Sequence, residues 1–132
     1  MTPLYILKVC IFSGPITEAF AKSNPVVFRI IQIRGDQTLT VLHRAIFRAF
    51  DREEEHLYEF QIGGKGPHDK RAQRYALSPR RFDPFAPPGY QPPRGVTRTT
   101  LDSLGLKAGQ AFGYWFDFGD DWWHQINVID VH

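Results

Sequence analysis

The 132-residue chain is poor in sulfur, with a single cysteine, Cys10, and a single methionine. One cysteine excludes an intramolecular disulfide and any zinc cluster built from several thiolates, and it fits a reducing, cytoplasmic setting. Long apolar runs are missing as well. The best candidate, "LYILKVCIF" at residues 4–12, is short, carries Lys8 near its middle, and lacks a basic leader and a small-residue cleavage site. It reads as a strand. Nothing approaches the roughly 20 apolar residues of a membrane span, so no membrane partner is expected. Catalytic signatures are absent too: there is no nucleophile elbow, and "GGKG" at residues 63–66 lacks the helix that a phosphate loop feeds.

What is present describes a folded chain the size of one domain, residues 1–132, able to bury a core without staples. The hydrophobic share of 42% and aromatic share of 14% exclude a disordered chain. Charge is unevenly spread. Residues 63–100 hold eight Lys and Arg against Asp69 and Asp83, a net of +6; the rest has eight basic and twelve acidic residues, a net of −4. The same segment holds seven of the ten prolines. Proline removes amide donors and fixes φ, so residues 63–100 are expected to be an irregular, basic, Pro/Arg-rich insert within the domain.

Outside that insert the periodicities are clear. Leu4 to Phe12 and "VVFRIIQI" at residues 26–33 read as strands. "TLTVLHRAIFRAF" at residues 38–50 reads as the main helix, with Thr38 as N-cap and Leu39, Leu42, Ile46, Ala49 and Phe50 on one stripe. Arg44, Arg48 and Arg52 line up on the opposite, solvated side, and His43 falls at the margin of the stripe. "HLYEFQIGG" is a short strand with Tyr58, Phe60 and Ile62 facing the core, and two final strands run from Ala111 to Phe118 and from Trp122 to Val131. The expected fold is α+β: a mixed sheet of about five strands with one helix packed on it, in ubiquitin-like or grasp-type outline.

The densest cluster of chemistry is "YWFDFGDDWWHQINVID" at residues 114–130. Pairing Phe118 with Trp122 across a Gly119-Asp120-Asp121 loop puts Tyr114, Phe116, His124, Ile126 and Val128 on one face and Trp115, Asp117, Trp123 and Gln125 on the other. Asp120 and Asp121 then serve the turn, while Asp117 sits inside a strand, where aspartate is disfavoured. Asp117, Asp120, Asp121, Trp122 and His124, together with His56, form the candidate functional cluster. Carboxylates plus imidazole can hold a divalent cation or act as general acid and base. No other cofactor is expected.

The helix pattern "TLxxLHxxI", the "HLYEF" at His56 to Phe60 and above all "YxxDFGDDWxHxI" resemble the plasmid pRiA4b ORF-3-like domain family. Two positions depart from the pattern: Phe28 stands where tryptophan is common, and Asp51 where a tryptophan often closes the helix. The resemblance implies an association with plasmids and mobile elements and no settled activity. Two function classes follow. One is a non-catalytic binding module for nucleic acid or protein, in which Arg71, Arg74, Arg80 and Arg81 meet phosphates and Trp115 and Trp123 stack on bases. The other is a metal-dependent hydrolase or nuclease that uses the acidic hairpin tip.

Overall fold

A computed structural model describes residues 2–77 and 93–132. The described residues form one seven-stranded sheet and two α-helices. The strands are β1 (Leu4–Ser13), β2 (Val27–Arg34), β3 (Tyr58–Ile62), β4 (Gln73–Ala76), β5 (Arg94–Gly95), β6 (Ala111–Phe116) and β7 (Trp122–Val131). Their order in the sheet is β2-β1-β7-β6-β3-β4-β5, antiparallel throughout except for β4 with β5. The strand-strand-helix-strand succession is present, with the short helix α1 (Glu18–Ser23) inserted between the first two strands. β7 meets β1 antiparallel.

Two expectations are corrected here. The sheet has seven strands and not about five, because the basic segment 63–100 contributes β4 and β5. Its described part is therefore not wholly irregular: Phe60 pairs with Tyr75, and Tyr75 is buried in the core. Residues 78–92, with five of the seven prolines, lie outside the described residues.

Helix α2 (Leu39–Ala49) begins as expected, the Thr38 hydroxyl accepting from the Val41 amide at 3.4 Å. Leu39, Leu42 and Ile46 are fully buried against the sheet face formed by Leu7, Val9, Phe60, Tyr114, Ile126 and Val128. Burial of each such side chain stabilises by roughly 1.5–3 kcal/mol. His43 is buried with them and is no margin residue.

The β6–β7 register differs by two residues from the expected one: Phe116, and not Phe118, faces Trp122, and Tyr114 faces His124. A slip of two keeps every side chain on its face, so the predicted faces stand. The connection becomes the five residues Asp117–Asp121, and Asp117 lies in it with φ 56. Asp117 is thus a turn residue, in a conformation that aspartate tolerates better than most side chains. Asp121 is left-handed too, with φ 58, whereas Gly119 is not.

Candidate functional site

The site is created by the way α2 stops. The Asp51 amide donates to the Arg48 carbonyl and the Arg52 amide to the Phe47 carbonyl, with Asp51 at φ 54 where glycine usually stands. This left-handed closure turns the chain, so Arg52 leaves the solvated row of Arg44 and Arg48 and folds back toward the sheet. Its guanidinium lies 4.7 Å from the ring centre of Phe116, with Phe50 at 5.3 Å and Trp122 at 5.6 Å. Arg52 Nη2 donates to Nε2 of His124 at 2.7 Å, while Nη1 is shielded from solvent and has no acceptor. Among the described residues no carboxylate pairs with Arg52. Burial lowers its pKa, but a guanidinium begins far above neutrality and stays charged.

The tautomer of His124 follows from its partners. Nδ1 is 3.1 Å from the Tyr114 carbonyl, which can only accept, and Nε2 faces Arg52, which can only donate. The ring is therefore neutral with its proton on Nδ1. Burial, with the Arg52 charge second, lowers its pKa to about 3. Beside it Tyr114 and His43 form a second buried pair. Burial raises the Tyr114 pKa well above its usual value, so its hydroxyl donates to His43 Nδ1 at 2.6 Å. His43 Nε2–H then donates to the Glu55 carboxylate at 3.0 Å. Both histidines are held neutral and fully bonded, fixing the wall beneath Arg52.

A cleft of about 430 Å³ opens beside this wall. Its apolar sides are Ile11, Val27, Phe50, Phe116 and Trp122, and its charged groups are Arg29, Arg52, Glu53, Glu54, Asp117 and Asp120, with His56. Arg29 is partly committed to structure: its Nε donates to the Ala49 carbonyl, one of the free carbonyls at the end of α2. His56 Nε2 lies 3.4 Å from Asp117 and 3.8 Å from Glu54.

Of the expected cluster, His56, Asp117, Asp120 and Trp122 line this one cleft. Asp121 and His124 do not join them. Asp121 accepts from the Trp115 indole at 2.6 Å, and His124 is buried behind Arg52 with both nitrogens occupied. Among the described residues no three His, Cys, Asp or Glu side chains gather in a group that could hold a metal.

The expected nucleic-acid face is also rearranged. Trp123 is buried, its ring lying where a Cβ on Gly113 would meet it at 2.3 Å. Trp115 stacks on Phe118 at 4.0 Å and receives the edge of His68 at 4.4 Å. Trp123 lines a small pocket with Gln61, Gly113 and Gln125, and Trp115 is half-buried. Arg74 pairs with Glu59 at 3.4 Å, Arg71 is exposed, and Arg80 and Arg81 lie outside the described residues.

The family model described as plasmid pRiA4b ORF-3-like protein matches residues 18–132. The chain belongs to that family. No curated protein matches it. Among solved structures, it is similar to a protein of unknown function, MM3350 from Methanosarcina mazei Go1, with a TM-score of 0.68 and 23% identity. The match covers 99% of this chain and 62% of the other, so this pRiA4b ORF-3-like chain spans less than two thirds of that protein's length. At this identity the likeness shows the shared α+β fold alone.

Proposed function

We propose that this family member is a non-catalytic binding module whose ligand places an anionic group, carboxylate or phosphate, against Arg52 in the cleft. The observation that carries the reading is the uncompensated cation: a guanidinium walled by three aromatic rings, bonded to a neutral histidine, with one nitrogen lacking any acceptor. An unmade bond at a buried charged donor costs about 1–3 kcal/mol, and an incoming anion recovers it. Nη1 is closed off from solvent, so direct contact with it requires the guanidinium to shift when the anion binds. A polyanion fits less well, because Glu53, Glu54, Asp117 and Asp120 repel a phosphate backbone at the mouth. Tryptophan fluorescence during titration with a hydrophobic carboxylate and with inorganic phosphate tests this. Saturable quenching that Arg52→Gln abolishes supports it; flat curves for both probes contradict it.

Nucleic acid as partner draws support from the basic segment 63–100, and its mark is oligonucleotide binding that weakens steeply with salt. The divalent-cation reading draws on the His56–Asp117 pair. A melting temperature raised by a cation in the parent but not in Asp117→Asn favours it, and no rise with any cation removes it.

A further inference from the structure

The charges of the cleft differ in sign with depth. Arg52 is half-buried at the floor over Phe116. Glu53, Glu54 and Asp120 are exposed at the mouth, the Glu54 side chain 88% so, while the Asp117 side chain is 16% exposed between the two levels. The carboxylates of Glu53 and Asp120 have no partner among the described residues. Arg29 is exposed at the rim, its Nε and Nη1 bonded to the Ala49 and Phe28 carbonyls. In all, two guanidiniums face four carboxylates, a net of two negative charges while His56 is neutral.

A ligand of one sign meets opposition at one level. A simple anion passes the mouth carboxylates at a cost, and a simple cation is repelled by Arg52. A ligand carrying both signs satisfies both levels if the anion enters first. We infer that the ligand is amphoteric: an apolar α-amino acid, or a short peptide unblocked at both ends, with its carboxylate toward Arg52 and its ammonium among Glu53, Asp117 and Asp120. Its side chain then lies against Ile11, Val27 and Trp122. A volume of about 430 Å³ accommodates either source. The inference rests on the reading of the cleft as an anion site and narrows it.

Calorimetric titration of the full chain separates the two levels. The probes are leucine, the dipeptide Leu-Leu, N-acetyl-Leu-Leu and Leu-Leu-amide. The unblocked dipeptide or the free amino acid should bind about tenfold more tightly than its blocked forms, and which of the two binds better identifies the source. Because Arg52→Gln also removes the partner of His124, the decisive variants are the exposed Glu53→Gln and Asp120→Asn. Combined, they should weaken the unblocked ligand severalfold and leave N-acetyl-Leu-Leu unchanged or slightly tighter. Equal affinity for Leu-Leu and N-acetyl-Leu-Leu overturns the amphoteric inference while the anion site stands. No heat from any probe, with flat carboxylate and phosphate titrations as well, overturns both.

Discussion

On the helix side of the β6–β7 hairpin, Tyr114 donates to His43 and His43 to Glu55, while His124 accepts from Arg52, and the chain of contacts opens into a charged cleft. On the other side Trp123 fills the space above Gly113, and Trp115 is held by Asp121, Phe118 and His68. The residues of the two faces alternate along the same two strands. One face is buried and still carries a cation with an unmet donor; on the other the two indoles are held by packing, and that of Trp115 by its bond to Asp121. Richness in aromatic and acidic residues therefore does not locate the site. The distinguishing mark is a charge whose partners are incomplete.

The largest expected effect breaks the closed face. In Gly113→Ala the new methyl meets the buried Trp123 ring at 2.3 Å, so the indole must shift, at a cost of about 3 kcal/mol in urea unfolding. The Arg52 face lies on the opposite side, and binding in the cleft should survive wherever the variant is folded.

The second effect belongs to the polar face and is read by pH. The folded-state pKa of His124 lies near 3, below the unfolded value, so the unfolded chain takes up its proton first as pH falls. Its contribution is fully present above about pH 6.5 and is lost toward 3. From pH 7.5 to 5 the loss is about 2 kcal/mol for this group, and burial of His43 acts in the same direction. Urea unfolding of the parent and of His124→Gln across that range checks it, the variant being the flatter. Equal slopes in both would contradict the buried neutral imidazole.

Tyr114→Phe sharpens the comparison at somewhat smaller cost. It removes the hydroxyl that donates to His43 and leaves a buried acceptor unmet, about 1.5 kcal/mol in chemical denaturation. The smallest effect should be a gain. Asp51→Gly relaxes the left-handed closure of α2, raising stability by about 0.5 kcal/mol with Arg52 still in place. If Arg52 binding is lost in that variant, the Asp51 side chain does more than end the helix.

These residues also show what could be read from sequence. Thr38 and the Leu39, Leu42, Ile46 stripe announce α2 because capping and periodicity are local. The faces of the hairpin were legible despite the wrong register, since a shift of two leaves alternation intact. Arg52 was not legible: at i+8 from Arg44 it continues a solvated row, and only the left-handed Asp51 sends it inward. The partnership of His43 with Tyr114 spans 71 residues of sequence and leaves no local trace. Likewise β4 and β5 hide in a segment whose proline content argues against strands, although all seven prolines there fall outside the two strands, five of them in residues not described.

The most direct measurement follows the side-chain signals of Arg52, His124 and the tryptophan indoles by NMR while unblocked Leu-Leu is added to the full chain. A saturable change at Arg52 Nε–H, the His124 ring and Trp122, with the Trp123 indole unmoved, is the predicted result. Saturable binding that instead moves Trp123 and leaves Arg52 unchanged would place recognition on the other face and contradict the assignment of the cleft.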